Sequence, residues 1–332
     1  MYLLTGSAGY IGSALLDALN GSPDLGGSSV VCVDRVAHRV PAGVRLIEAD
    51  LLDQEAYGPT LETVDCVLHL AAAKGDWGIS RDDYFRDNLA ATRALISVGR
   101  RSAVRRWIFF STVSVLGPSG VPLSEDADPN PINAYGESKL ACEKLFHDLA
   151  ISDPECVILI IRPSVVFGPE NPRNTNIFRL IDAIYRRRFV MIGDGAVQKT
   201  TSYIDNLVAA TRFLLNRDRF DPGVHVYHYV DEPVMSTELL VSEIVRLLGM
   251  KRSSLRLPLG LARPFAKIGD IAADWTGVDL PITSARVEKF CTSTNFSSAK
   301  IRRLGFQQPV ANRDALASTV SWYLNNVATL PN

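Results

Sequence analysis

Within its first twelve residues the chain passes from an apolar run into Thr5-Gly6-Ser7-Ala8-Gly9-Tyr10-Ile11-Gly12, a Gly-x-x-Gly-x-x-Gly turn that opens an amphipathic helix. Glycines at that spacing let a strand turn tightly into a helix and let the backbone approach a bound group, because no Cβ stands in the way. The helix start presents unpaired N–H groups and the positive end of its dipole, so a pyrophosphate is well received there. Such a turn is completed by an acid about 20 residues further on, at the end of the next strand, where it takes ribose hydroxyls. Asp34, after Val30–Val33, fills that place. Strand, turn, helix and acid together call for an α/β fold and a dinucleotide ligand.

The rest of the first half keeps to that plan. β-type runs at Met1–Thr5, Val30–Asp34, Arg45–Glu48, Cys66–Ala71, Arg106–Ser111 and Val157–Arg162 alternate with helical periodicity at Tyr10–Asn20, Asp82–Arg100 and Asn133–Ile151. This is the pattern of a Rossmann-type, doubly wound parallel sheet. Val224–Val230 and Ser236–Leu248 add a strand and a helix, the helix capped by Ser236 and closed by Gly249. After Arg162-Pro163 the elements shorten, with a loop at 168–174, a helix at Ile177–Arg187, a tight turn at Gly193-Asp194-Gly195 and an extended run at Thr200–Ile204. The expected division is a cofactor domain over 1–165, to which 204–250 returns. A smaller C-terminal α/β substrate-binding domain then takes 166–203 and 251–332, across the sheet's carboxyl edge.

Charge and composition narrow the partners. With 35 Lys+Arg against 36 Asp+Glu the net charge is −1, which gives no electrostatic ground for nucleic acid or an anionic membrane. No apolar run reaches the roughly 18 residues of a membrane span. No basic and apolar leader precedes the first strand, so a cytoplasmic location is expected. Cys32, Cys66, Cys142, Cys156 and Cys291 are scattered and odd in number, and read as buried thiols rather than a disulfide framework. His225 and His228 would point to opposite faces of a strand, so no metal is expected.

Tyr135 and Lys139 stand four apart in Asn133-Ala134-Tyr135-Gly136-Glu137-Ser138-Lys139 and would share one helix face. A free tyrosine titrates near pH ~10, and a neighbouring ammonium, by stabilising the phenolate, brings it toward the range of a working acid/base. Asp34 can bond both ribose hydroxyls and would repel a 2′-phosphate, which favours NAD. Arg35 keeps NADP as the lesser alternative. Asp50, followed by Leu51, can accept from an adenine amino group or cap the next helix.

Further motifs follow in order: His69-Leu70-Ala71-Ala72, Asn88, Ser111-Thr112 with Val115 and Gly117, Arg162-Pro163 before Gly168-Pro169, Gly193-Asp194-Gly195, Tyr203-Ile204-Asp205-Asn206, and Lys300–Phe306 before Pro309. Over nearly its whole length the chain resembles the extended short-chain dehydrogenase/reductase family, the NAD-dependent sugar-nucleotide epimerases and dehydratases. The resemblance implies Tyr135 as acid/base, Lys139 on the nicotinamide ribose, and Thr112 on the reacting sugar oxygen. It implies cofactor contacts from Gly6, Gly9, Tyr10, Ile11, Gly12, Asp34, Arg35, Asp50, Leu51, Leu70, Ala71, Ala72, Asn88, Tyr135, Lys139 and Pro163, with Asn88 chiefly steadying the sheet.

Dehydratases of the family carry an Asp-Glu pair directly after the threonine. Here Val113 and Ser114 stand there, and neither can do an acid's or a base's work. The implied activity is therefore epimerisation, at C4, of a nucleotide-diphosphate sugar such as a UDP-hexose, through a transient keto-sugar. A reductase or dehydrogenase of a keto-sugar or hydrophobic alcohol is the alternative, and a non-catalytic dinucleotide-binding regulator a third reading. Substrate contacts are expected from Thr112, Tyr135, Arg173, Asn176, Lys199 and Tyr203. Lys199 replaces an arginine that many members set against the substrate diphosphate, supplying charge without a bidentate fork. Val115-Leu116-Gly117 replaces a family Val-Tyr-Gly, removing an aromatic from near the pocket. The helices near 82–100 and 133–150 match the pair that family members pack into a homodimer.

Overall fold

The computed structural model describes residues 1–20, 29–75, 78–217, 220–251 and 292–328, with a few isolated positions between 256 and 275. Seven parallel strands make the central sheet: β1 (Tyr2–Thr5), β2 (Val30–Asp34), β3 (Arg45–Glu48), β4 (Cys66–His69), β5 (Arg106–Phe110), β6 (Val157–Pro163) and β7 (Gly223–Tyr229). Their order is β7-β6-β5-β4-β1-β2-β3, so chain direction across the sheet reverses between β1 and β4. A crevice forms at such a reversal, beyond the carboxyl ends of the strands.

Alternate residues on each strand serve two cores, which is why the runs read as continuously apolar. Leu4, Leu68 and Ile108 face helix α1 (Tyr10–Leu19) through Leu15, Leu16 and Leu19. Leu3, Val67, Trp107 and Phe109 face the opposite layer. After the four-residue α2 (Gln54–Tyr57), that layer is built from α3 (Arg81–Tyr84), α4 (Ala91–Arg101) and α5 (Ala134–Ser152). Each fully buried leucine or phenylalanine here contributes roughly 1.5–3 kcal/mol. Helices α6 (Asn176–Tyr185), α7 (Ile204–Leu215) and α8 (Thr237–Leu247) extend the first core.

The continuous helix expected over 82–100 is instead three pieces, with a π-helical turn at Phe85–Ala90 between α3 and α4. The wide turn rolls Asn88 inward, where Oδ1 accepts from Ala73 N at 2.7 Å and Nδ2 donates to Ser138 Oγ at 2.9 Å. Those bonds hold the irregularity, and none of them shows in the periodicity. Asp50 caps no helix: Asp53 precedes α2, while Asp50 Oδ1 accepts from Leu52 N at 2.9 Å in a local turn.

Smaller sheets lie beyond the carboxyl edge. β6 continues through Ser164 into Val165–Phe167, which pairs in parallel with Thr201–Tyr203. Ser119–Leu123, Thr294–Phe296, Gln198–Lys199 and Met235–Ser236 make a four-stranded sheet. Ser119–Leu123 holds a glycine and a proline and has no strand signature in the sequence.

The four described cysteines are buried and unpaired, and Cys291 lies outside the described residues. Among the described residues no helix is long and apolar enough to cross a membrane, and no side-chain group could hold a metal ion. His225 packs near Phe220 and His228 near Phe296, apart from one another.

Candidate active site

The glycine turn is built by close backbone approach. Gly6 has φ +75°, and a Cβ there would sit 2.6 Å from Ala71 N; one on Gly12 would sit 2.0 Å from the Gly6 carbonyl oxygen. The turn therefore nests between β1 and the loop after β4 only without side chains. Asp34 braces it, Oδ2 accepting from Ala8 N at 2.9 Å and Oδ1 from Val36 N at 3.0 Å. Each oxygen keeps a second lone pair for a ribose hydroxyl. Arg35 lies between Asp50 at 3.6 Å and Asp87 at 3.3 Å, a guanidinium already engaged by carboxylates and so poorly placed to claim a 2′-phosphate. The Tyr10 hydroxyl donates to Pro169 O at 2.9 Å, fastening the start of α1 to the loop after Val165–Phe167. Ile11 packs on the first core and Leu51 is buried in the second. Ala72 follows partly buried in the loop after β4, and Pro163 ends β6 opposite Tyr229.

Beneath the crevice a buried chain of hydrogen bonds ties strand ends to helices. Thr92 Oγ1 donates to Asn88 O at 2.6 Å, so toward His69 Nε2, at 2.9 Å, it accepts. His69 Nδ1 then accepts from the Thr5 hydroxyl at 2.7 Å, while Thr5 Oγ1 receives the N–H groups of Leu70 and Ala71, both at 3.2 Å. That pattern needs a neutral imidazole. Burial, assisted by the Lys139 ammonium, pushes His69 down to about 3 from 6.5. The unfolded chain takes up this proton first, so the contribution is complete above pH ~6.5 and is lost as pH falls. Between pH 7 and 5 the wild type should lose about 2 kcal/mol more stability than His69→Gln in guanidinium melts. An equal loss in both proteins would contradict this account.

Helix α5 starts at Asn133, whose Oδ1 accepts from Gly136 N at 2.8 Å. A Cβ on Gly136 would lie 2.7 Å from Ser114 O, so the first turn of α5 rests directly on the backbone after Thr112. This brings Tyr135 to Thr112, whose hydroxyl favours the ionised form of the phenol. Lys139, one turn on and 2% exposed, holds Nζ 4.1 Å from the centre of the Phe109 ring.

The expected lowering of Tyr135 is not what the protein alone produces. Burial pushes the phenol above its ordinary range, Tyr84 and Cys142 add to this, and Thr112 opposes it. The same burial brings Lys139 down to about 8, with Cys142 and Glu143 opposing. A dry site strips water from both groups, and for each of them the loss of hydration is the leading cause of its shift.

Several contributors escape a reading by motif. Thr112 Oγ1 accepts from Ser114 N at 3.2 Å and faces Ser114 Oγ at 3.1 Å, so Ser114 orients the threonine as well as lacking a dehydratase's carboxylate. Ser114→Ala removes one neutral hydrogen bond, about 1 kcal/mol. It should lower kcat roughly fivefold with NAD content unchanged; an unaltered kcat would show that Thr112 needs no such partner. Ser138 binds Asn88 beside Lys139. Its place in Tyr-Gly-Glu-Ser-Lys is the only sequence signal it gives. The Tyr84 ring lies 6.0 Å from that of Tyr135.

Residues 2–228 match the model of the NAD dependent epimerase/dehydratase family. The chain belongs to this family. It is 30% identical over 322 residues to the N-acetyl-alpha-D-glucosaminyl-diphospho-ditrans,octacis-undecaprenol 4-epimerase of Escherichia coli O157:H7, across 96% of this chain and 94% of that protein. It is 38% identical over 154 residues to the UDP-glucose 4-epimerase of Azospirillum brasilense, across 44% of this chain and 43% of that one. The solved structure of MoeE5 in complex with UDP-glucuronic acid and NAD is similar, with TM-score 0.77, 27% identity and coverage of 98% and 99%. NAD is the cofactor of this family member, and the glycine cradle with Asp34 fits it.

On the substrate side of this epimerase/dehydratase-family chain the candidates part company. Tyr203 is 3% exposed and packs on Phe167 with ring centres 5.5 Å apart, within the first core. Lys199 Nζ donates to Thr292 O at 2.5 Å. Arg173 and Asn176 are exposed, on the loop after Val165–Phe167 and in the first turn of α6.

Proposed function

We propose that this protein is an NAD-dependent C4 epimerase of a sugar carried on a nucleoside diphosphate, such as a UDP-hexose. The observation that supports it most is Tyr135 set beside Thr112, with Lys139 one turn further along α5 and Val113 and Ser114 in place of an acid pair. When bound, NAD supplies reversible oxidation at the sugar carbon. Tyr135 takes the C4 hydroxyl proton and later returns it. Lys139 keeps positive charge beside the phenolate, and Thr112, held by Ser114, orients the sugar oxygen. The cofactor half is residues 1–165 with 204–250, and the substrate half is 166–203 with 251–332.

The test is turnover of paired UDP-hexoses by the protein as purified. Epimerisation without net change in nicotinamide absorbance is expected. Substrate loss that matches NAD(P)H loss mole for mole would establish a reductase instead.

One observation favours a second carrier. The relative matched over 96% of the chain acts on a sugar diphosphate of undecaprenol, whereas the UDP-glucose epimerase is matched over 44%. Assay of one N-acetylhexosamine on UDP and on undecaprenyl diphosphate in detergent micelles decides by the ratio of kcat/KM. A cytoplasmic homodimer completes the proposal, packed through α4 and α5. The groove between these helices sets Ile96, Leu145 and Leu149 among charged residues, Arg93, Arg100 and Asp148 included, and Ile151 nearby on α5 is 79% exposed. Sedimentation at the mass of a single chain would dismiss the dimer.

A further inference from the structure

Tyr135, Lys139 and Glu143 follow one another at four-residue steps along α5 and so share a face. Glu143 is 2% exposed and meets Arg162 of β6, itself 4% exposed, through two parallel bonds: Nε to Oε1 at 2.9 Å and Nη2 to Oε2 at 2.6 Å. Arg162 Nη1 is buried without a hydrogen-bond partner among the described residues. The guanidinium is thus committed to Glu143, directly before Pro163 at the carboxyl edge of the sheet. A buried ion pair gives a fold little net stability, since desolvation offsets the attraction and a packed apolar pair would serve as well. Its place in a row with Lys139 and Tyr135 is what needs a reason.

We infer that Glu143 and Arg162 are a positioning pair for the reaction: they lock α5 to β6 so that Tyr135 and Lys139 stand at the crevice, and they keep a fixed negative charge one helical turn from the lysine. The inference rests on the assignment of Tyr135 and Lys139 as the acid/base pair. The groups around Lys139 are Tyr135, Cys142 and Glu143 on α5, His69 on β4, the Phe109 ring on β5 and, beyond Glu143, Arg162 on β6; Tyr84 of α3 faces Tyr135. His69 is held neutral, and burial pushes the Cys142 thiol up, so it too stays neutral. Glu143 is the one full negative charge among them.

The experiment is the pH profile of kcat/KM for the NAD-loaded wild type, Glu143→Gln, and the double variant Glu143→Gln/Arg162→Met. Glu143→Gln removes the anion and leaves the guanidinium, and the added positive field lowers the pKa of both lysine and tyrosine. Both limbs of the profile should move to lower pH by about one unit. The double variant removes opposite charges together, so its limbs should return to wild-type positions while kcat, with positioning lost, falls about tenfold at constant NAD content. A purely structural pair would change the melting temperature or kcat and leave the limbs of Glu143→Gln in place, and that result overturns the inference. Should Glu143→Gln not fold, wild-type kcat in the double variant overturns it equally. Tyr135→Phe separates the two readings: full turnover there removes the acid/base assignment, whereas its loss together with an unmoved Glu143→Gln profile removes the positioning pair alone.

Discussion

Tyr135→Phe should lower kcat by about 10²- to 10⁴-fold, the range of a positioned acid/base, while NAD stays bound. The substitution deletes one oxygen and keeps the ring that packs beside Tyr84 at 6.0 Å, so α5 and its cap at Asn133 have no reason to shift. What disappears is the group facing Thr112. No other described side chain brought to Thr112 can replace it: Ser114 is a hydroxyl without a neighbouring base, and His69 is sealed beneath the sheet edge between Thr5 and Thr92. Single-turnover assay of the variant, with bound NAD measured after denaturation, checks both halves of the expectation. Undiminished turnover would take the tyrosine out of the mechanism.

Gly12→Ala should yield a protein that purifies without NAD and melts at a lower temperature. The new methyl would lie 2.0 Å from the Gly6 carbonyl oxygen and 3.0 Å from Ser7 Cα, both backbone atoms that cannot rotate away. Relief requires the turn to open, which moves the N–H groups meant for the pyrophosphate. Overpacking of this kind costs about 1–3 kcal/mol. Cofactor at 100 times its dissociation constant adds about 2.7 kcal/mol to an intact site. Thermal melts with and without NAD separate the two losses: the variant should melt lower in both and gain nothing from NAD. A normal NAD-induced rise would mean the turn tolerates a side chain there.

How legible this molecule is from its sequence depends on the range over which each feature is determined. β2 occurs where its valine-rich run places it, and α5 begins and ends within a residue of its periodic stretch, because pattern and cap are local. The glycine turn and Asp34 are legible for the same reason. The π turn at 85–90 is not, since Asn88 is drawn inward by Ala73 and Ser138, which lie 15 and 50 residues away in the chain. The packing of Tyr203 on Phe167 is not legible either, since the two rings meet through a strand pairing between residues far apart in the chain. The push on Tyr135 is not legible in its four-residue spacing to Lys139, because burial, not the lysine, leads it. Its outcome depends on how much water the fold removes, a property of the whole layer between β5 and α5.

The Tyr10 hydroxyl and the Pro169 carbonyl join the first helix of the chain to a loop 159 residues later. That bond fixes the start of the helix that the glycine turn opens, beside the turn expected to receive the dinucleotide. An enzyme that restores its own cofactor at each cycle gains from slow release, because a molecule that never leaves need never be recaptured. A reductase gains nothing from such retention, since it must exchange spent cofactor for fresh at every turnover.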